Sequence, residues 1–172
     1  METIKKFHWF WAWDDEKEET WLSEMSKKGW HFKSVGLLSN YIFEQGKPID
    51  YTYRLDYFID HKDKSIYLQL FQDAGWSHLG EMGGWQYFRK EGLNGEEQEI
   101  YSDRESKAKK YRRIMLYLVI FFPIYMNFIL VLSRSNDGVM QVVTFFMFII
   151  LLVYIYAMVK LLSRITRLMK KI

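Results

Sequence analysis

The sequence IMLYLVIFFPIYMNFILVL, residues 114–132, contains 19 residues and no charge. A second uncharged run, VMQVVTFFMFIILLVYIYAMV, covers the 21 residues 139–159. As helices the two runs would be about 28 and 31 Å long, close to the thickness of the hydrocarbon core of a bilayer. A helix buried in a soluble domain rarely stays apolar on every side for so long. The sequence therefore predicts a hairpin of two transmembrane helices.

The charges beside these runs predict the orientation of the hairpin. The connecting loop, residues 133–138, holds one basic residue, Arg134, which Asp137 offsets. The other ends of both runs are basic, with Lys107, Lys109, Lys110, Arg112 and Arg113 before the first and Lys160, Arg164, Arg167, Lys170 and Lys171 after the second. The positive-inside rule therefore places both termini in the cytoplasm, as a multi-pass protein of the cell membrane. Residues 102–113 are expected to form a basic juxtamembrane helix, and residues 160–172 a basic cytoplasmic tail.

Four polar or helix-disturbing residues within the spans are candidates for contacts in an oligomer or a pore: Pro123, Asn127, Gln141 and Thr144. Amide side chains form hydrogen bonds between helices in lipid, which favours such a role for Asn127 and Gln141. The alternative is packing within a single hairpin. Neither run contains a carboxylate, lysine or histidine, which argues against a proton-coupled pump.

The composition and the N-terminus restrict the classes of function. The N-terminus lacks the apolar segment and cleavage site of a signal peptide, so a domain at residues 1–101 is expected to stay in the cytoplasm. There is no cysteine, which excludes disulfides and thiolate chemistry. The formal net charge of +3 gives no support for nucleic-acid binding.

The N-terminal domain contains an internal repeat with an offset of 46 residues. The two copies cover about residues 4–46 and 50–92. Identical residues in the same register are Leu22 and Leu68, Gly29-Trp30 and Gly75-Trp76, Tyr41 and Tyr87, and Gly46 and Gly92. Self-similarity at a fixed offset indicates one supersecondary unit used twice.

Each copy has the pattern of a strand, a helix and two strands. In the first copy the alternating aromatics of residues 7–13 predict a strand, and Asp15 with Glu18 forms a capping-box pattern at the start of a helix. The further predicted elements are strands at 30–36 and 40–44, a strand at 51–59, a helix at about 63–74, and strands at 76–82 and 85–90. The predicted fold class is α+β, in which the duplicated β-α-β-β unit forms an antiparallel sheet with two helices on one face.

Aromatic residues are unusually frequent in this domain, and all seven Trp lie before residue 86. They predict either a cleft or partner surface that binds a small hydrophobic ligand, with Trp9, Trp11 and Trp85 as candidates, or a shallow core with indole rings near the lipid headgroups. Arg54 and Asp56 share one strand face and are candidates for a polar ligand site. That face would meet His8 and Phe10 by repeat symmetry.

Plainer interpretations exist for the charged candidates. Arg54 and Asp56 are also the pattern of a cross-strand ion pair. Glu81 is either a buried ligand-binding carboxylate or a solvent-facing one. The acidic residues 14–19 resemble a metal cluster in composition, but carboxylates are also favoured in the first turn of a helix. No catalytic, nucleotide-binding or metal-binding motif is present, so neither an enzyme nor a cofactor is expected.

Several stretches carry a resemblance to a known family: FHWFWAWDDEKEE from Phe7, WLSEMSKKGW from Trp21, YRLDY from Tyr53, YLQLFQDAGW from Tyr67 and GEMGGWQYFRK from Gly80. Over about residues 4–113 the chain closely resembles a domain-of-unknown-function family of Gram-positive bacterial membrane proteins. Members often continue into a membrane hairpin, and their genes tend to neighbour PadR-type regulators. The family brings no established activity. The doubled unit is also similar in architecture to gyrase-inhibitor-like domains, which bind small hydrophobic molecules between their copies.

Three hypotheses follow for the function. The first is a membrane-anchored cytoplasmic sensor or adaptor that binds a small amphipathic ligand or a protein partner, in a response to envelope stress. The second is a homo-oligomeric membrane assembly or pore with a cytoplasmic ring. The third, an enzyme acting on lipid or envelope precursors, lacks a recognisable nucleophile and base.

Overall fold

The computed structural model describes residues 2–36, 39–59, 62–92 and 98–170, which form two compact units. The first unit covers Met1–Ser102 and the second Asp103–Ile172. The first is an α+β domain and the second a pair of long helices, so the predicted fold class with its terminal helical hairpin is confirmed.

The first unit contains the repeat, and both copies have the same topology. The first copy consists of β1 (Thr3–Phe7), α1 (Asp15–Lys27), β2 (Trp30–Gly36) and β3 (Asn40–Gln45), and the second of β4 (Tyr51–Tyr57), α2 (Lys64–Asp73), β5 (Ser77–Met82) and β6 (Trp85–Glu91). The strand orders are β1-β3-β2 and β4-β6-β5, all antiparallel. The register shifts between Phe32 and Ser34 and again at the equivalent positions, His78 and Gly80. The strands therefore form two sheets, where the sequence predicted one, because each copy pairs its first strand with its own last strand.

Strand β1 ends earlier than the aromatic alternation predicted. Phe7 pairs with Asn40, which is the first residue of β3, so the partner strand offers no backbone to residues 8–13. His8 makes one further backbone contact, donating its N–H to the carbonyl of Ser39 at 3.2 Å. Residues 8–14 instead form an irregular segment that leads into α1.

Helix α1 lies against the free edge of β4, a strand of the other copy. Three acceptors on one stripe of the helix receive backbone N–H groups of alternate β4 residues. These bonds run from Leu55 to Glu19 Oε1 at 2.8 Å, from Tyr53 to Ser23 Oγ at 3.4 Å and from Tyr51 to Ser26 Oγ at 3.4 Å. The spacing works because i, i+4 and i+7 share one helix face while every second strand residue points to one side. The helix thus satisfies an edge that would otherwise be open to pairing with another chain.

The main core of the first unit combines residues from both copies. Leu22 and Met25 of α1 pack with buried aromatic and aliphatic residues of both sheets, namely Phe32, Tyr41, Phe43, Tyr53, Leu55 and Tyr87. A smaller cluster, made of Phe71, Trp76 and Phe88, lies under α2. The two helices are therefore not equivalent, since α1 joins the copies and α2 covers only the second.

The second unit is a hairpin of α3 (Arg104–Ser133) and α4 (Gly138–Lys170). The basic stretch and the first apolar run form one helix, which begins after its N-cap Asp103 and continues through Pro123. Two tyrosines link the helices reciprocally. Tyr125 donates its hydroxyl to the carbonyl of Met147 at 2.7 Å, and Tyr154 donates to the carbonyl of Leu118. Their rings stack at 6.0 Å, so these contacts hold the helices in register.

Both helices are long and apolar enough to cross a membrane. Of the most apolar window, 11% is buried in α3 and 6% in α4. A core helix of a soluble domain would be mostly buried, so this apolar surface requires a covering of lipid or of another chain.

Candidate functional site

A buried carboxylate, Glu18 of α1, lies between the two sheets. Its Oε1 atom accepts the hydroxyl of Tyr41 at 2.7 Å and that of Tyr87 at 2.8 Å. Tyr41 lies on β3 and Tyr87 on β6, at positions related by the repeat. Glu18 as a whole is 7% exposed. One carboxylate therefore joins the two copies through a symmetric pair of tyrosines, and it does so close to their common core.

Burial determines the protonation chemistry of this group. Loss of water raises the pKa of Glu18 above its ordinary value, and the nearby charge of Asp15 adds to the shift, while the two tyrosine hydrogen bonds oppose it. The pKa values of Tyr41 and Tyr87 are also raised, by burial first and then by the charge of Glu18. Both hydroxyls consequently remain protonated donors at physiological pH, aimed at a carboxylate that lacks a cationic partner among these contacts.

Further aromatic rings pack against the two tyrosines that bind Glu18 and against the core beside them. The ring of Trp21 meets that of Tyr41 edge to face at 4.9 Å, and Phe32 stacks on Tyr87 at 4.9 Å. Phe10 and Trp85 are partly buried against the same core. A carboxylate with aromatic faces nearby is the combination that recognises organic cations, through ion pairing and through the negative faces of the rings.

Sequence reasoning assigned Glu18 to a capping box, and this prediction is wrong. The N-cap is Asp14, one residue before the predicted Asp15, and it makes no side-chain capping bond. Glu18 instead shares the inward stripe of α1 with Leu22 and Met25, at spacings of four and three residues. This stripe is the signal that could have identified it, because a carboxylate aligned with two core residues faces the core.

The predicted candidate Arg54 lies near a second acidic residue of α1. Its Nη1 atom is 3.6 Å from Glu19 Oε2, and its Nε atom is 3.6 Å from Glu99 Oε1. The expected meeting of Arg54 with His8 is not found: β1 ends before His8, which stacks on Trp21 at 4.8 Å, and β1 and β4 belong to different sheets. Arg54 thus takes part in the contact between α1 and β4.

The predicted candidate Asp56 is buried, but its acceptor positions are occupied. Its two oxygens receive the backbone N–H of Tyr57 at 2.7 Å and the hydroxyls of Tyr67 and Tyr101, at 2.9 and 2.7 Å. These partners come from β4, from α2 and from the segment after β6. The Asp56 carboxylate therefore ties β4 to α2 and to the segment after β6, while the ion pairs described for Arg54 are with Glu19 and Glu99.

None of the remaining candidates of the first unit is as deeply buried as Glu18. The side chain of Glu81 is 43% exposed and pairs with Lys64 Nζ at 2.8 Å, which matches the solvent-facing alternative. Trp85 packs edge to face on Tyr57 at 5.5 Å and contributes to the core rim. Trp9 and Trp11 are exposed on the segment between β1 and α1.

The candidates of the second unit divide into exposed and buried residues. Pro123, Asn127 and Gln141 are exposed on the helical surface. Thr144 is buried and donates its hydroxyl to the carbonyl of Met140 in its own helix at 2.7 Å. The hairpin itself therefore does not use the two amides for its packing, whereas Thr144 lies inside it.

Among the described residues, the acidic side chains at the start of α1 are not arranged as a group of metal ligands. Across the ranges 2–36, 39–59, 62–92 and 98–170, no group of three or more His, Asp or Glu side chains could hold a metal ion. Their carboxylates are directed instead to tyrosine hydroxyls, backbone N–H groups and a lysine, Lys17, which pairs with Asp14 at 2.6 Å.

Comparison with protein families gives one match. A family model described as a protein of unknown function, DUF2812, matches residues 14–123, which is more than half of the chain. The chain belongs to the DUF2812 family. No curated protein matches the sequence. No solved structure matches it either. The DUF2812 match includes all of α1 with Glu18, the partners Tyr41 and Tyr87, and part of α3, and it begins after Trp9 and Trp11.

Proposed function

We propose that this DUF2812 protein is a membrane-anchored sensor whose N-terminal unit binds a small amphipathic cation at Glu18. The observation that carries the proposal is the buried Glu18 carboxylate, which accepts two tyrosine hydroxyls beside the aromatic core and, within the described part of the chain, contacts no cation. Burying a charge without a cationic partner is costly, so a purely structural position would be served better by an uncharged side chain.

A cation would replace the two tyrosine hydroxyls as the partner of Glu18. Tyr41 and Tyr87 come from different sheets, so a ligand that separates them from the carboxylate changes the contact between the two copies. A sensor requires that ligand binding change its conformation, and binding at Glu18 would change the contact between the two sheets. A ligand shifts a conformational equilibrium only if it makes different contacts in the two conformations.

The helical hairpin supplies the anchor in this proposal. Two exposed apolar helices with basic residues at their free ends fit a cytoplasmic N-terminal unit held at the bilayer. An amphipathic cation concentrates at the surface of an anionic membrane, so anchoring would keep the sensor where its ligand accumulates.

Replacing Glu18 by glutamine is expected to weaken binding of a lipophilic cation by at least about tenfold, because the charge-assisted contact is lost while the shape is kept. The measurement is equilibrium dialysis of tetraphenylphosphonium against the full-length protein in mild detergent, with empty micelles subtracted. Glu24→Gln, which removes an exposed charge from the same helix, is the matched control and should leave the affinity unchanged. Equal affinity of the wild type and Glu18→Gln would refute the site.

The same measurement has a pH arm. The Glu18 carboxyl is neutral below its pKa, which burial raises, so the wild type should bind tetraphenylphosphonium more tightly as the pH rises through that pKa. Glu18→Gln should show no such rise. The neutral analogue triphenylphosphine oxide should bind without a pH dependence to both proteins.

A second candidate function, a homo-oligomeric membrane assembly, is favoured by Asn127. This amide is exposed within the first apolar run, and in the described part of the chain its side chain has no hydrogen-bonding partner. An unpaired amide in hydrocarbon is costly, and a second copy of the hairpin would supply the missing partner.

Replacing Asn127 by leucine is expected to shift the assembly toward smaller species, with a dissociation constant raised about tenfold. Light scattering in mild detergent, with the detergent mass subtracted, measures the change. Thr144→Val is the control, since Thr144 satisfies its hydroxyl within its own helix and should not alter the mass. A wild-type protein that is monomeric at all accessible concentrations would exclude this candidate.

A further inference from the structure

The segment between β1 and α1 carries an exposed aromatic cluster, formed by Phe7, Trp9, Trp11 and Trp13. Phe7 is 67% exposed, Trp9 53% and Trp11 43%. The indole of Trp11 meets that of Trp9 edge to face at 5.6 Å and stacks on that of Trp13 at 5.1 Å. The three indole rings thus form one contiguous apolar surface, with the exposed Phe7 at the end of the preceding strand, and none of the four residues belongs to the core cluster.

Two lysines stand immediately before this aromatic cluster. Lys5 and Lys6 are exposed on β1, and within the described ranges neither ammonium has an acidic partner. Three other lysines of the unit do have acidic partners: Lys17 pairs with Asp14, Lys33 with Glu44 and Lys64 with Glu81. Because Ile4 packs against the core and side chains alternate along a strand, Lys5 and Phe7 share the outer face of the sheet, whereas Lys6 lies on the opposite face.

We propose that the aromatic cluster, together with Lys5, rests on the anionic headgroup region of the bilayer in which the hairpin is anchored. Indole rings favour this zone because an apolar body and a polar N–H are both accommodated there. A lysine beside them gains from the negative surface potential of anionic lipids. A purely apolar protein groove would offer no partner to the ammonium group of Lys5, so the charge pattern favours the lipid surface.

The contact has a structural consequence for the N-terminal unit. The aromatic cluster leads directly into α1, which begins at Asp15 and carries Glu18. A bilayer contact here would hold the start of the helix that joins the two copies. The inference rests on the proposed membrane anchoring, and it adds a second point of attachment at the opposite end of the chain.

Quenching of tryptophan fluorescence by brominated lipids tests the contact. All seven Trp precede residue 86 and neither apolar run contains one, so emission from the full-length protein reports only on the N-terminal unit. The protein is incorporated into lipid nanodiscs that contain phosphatidylglycerol, with bromine near the carbonyl end of the acyl chains. The wild type should be quenched relative to unbrominated discs, and the double variant Trp9→Gln with Trp11→Gln should lose most of that quenching.

Two matched controls separate the components of the contact. Trp76→Phe removes a buried indole and should leave the lipid-dependent quenching in place. Lys5→Gln should reduce the quenching toward the level seen in zwitterionic phosphatidylcholine discs, because the electrostatic attraction is removed.

The possible outcomes test the aromatic contact with lipid separately from the membrane anchoring by the hairpin. Failure of the wild type to enter nanodiscs would contradict the anchoring itself. Incorporation without quenching would overturn the aromatic contact alone. A third outcome is that quenching is absent and the Trp9 and Trp11 double variant forms smaller oligomers in detergent than the wild type. The cluster is then an interface between copies of the chain, and the assignment to lipid is wrong.

Discussion

Replacing Leu22 by alanine is expected to lower the free energy of unfolding of the N-terminal unit by about 3–4 kcal/mol. Leu22 is completely buried on α1, the helix that joins the two copies, and it packs with residues of both sheets. The loss combines the transfer energy of three carbon atoms with a cavity that rigid aromatic neighbours fill poorly. Urea unfolding of the full-length protein in mild detergent, followed by tryptophan emission, measures it.

The internal repeat supplies the control for this prediction. Leu68 of α2 is the counterpart of Leu22 but is only partly buried, against the smaller cluster of Phe71, Trp76 and Phe88. Leu68→Ala should therefore cost about 1–2 kcal/mol, since less apolar contact is lost. Equal effects of the two substitutions would contradict the conclusion that α1 carries the joint core and α2 only a peripheral one.

The parts of the fold that could be predicted from sequence are those with a local or repetitive signal. The apolar runs of the hairpin and the offset between Gly29-Trp30 and Gly75-Trp76 are visible without any knowledge of tertiary contacts. Strand β1 was predicted too long because the alternation of aromatics does not reveal where the partner strand begins. The division into two sheets and the position of α1 on the edge of β4 depend on pairing between distant residues, which alternation does not encode.

The Glu18 site could be predicted only in part, because two signals at Glu18 compete. Its position three residues after Asp15 fits a capping box, while its alignment with Leu22 and Met25 fits the core stripe. The match of Tyr41 with Tyr87 was visible as a sign of duplication. That both hydroxyls meet on one carboxylate is a tertiary fact, which follows from α1 crossing between copies.

Replacing Gly29 by alanine is expected to destabilise the N-terminal unit by about 3 kcal/mol, for two additive reasons. The φ angle of Gly29 is +81°, which an L-residue adopts at a cost. A Cβ atom there would also lie 2.8 Å from the carbonyl oxygen of Gly46. That backbone cannot easily withdraw, because the N–H of Gly46 donates to the carbonyl of Gly29 at 2.8 Å. The same urea unfolding experiment measures the change.

The repeat counterpart Gly75 separates these two reasons. Its φ angle is +82°, nearly the same, but a Cβ would meet only the flexible end of Lys90, at 3.3 Å from Cε. Gly75→Ala should therefore cost only the conformational part, about 1 kcal/mol. If both substitutions cost about 1 kcal/mol, the backbone contact between Gly29 and Gly46 yields without penalty. A larger cost at Gly29 means that rigid backbone, the Gly46 carbonyl, limits the space beside the end of α1. At the equivalent end of α2 the neighbour is the side chain of Lys90, which can move.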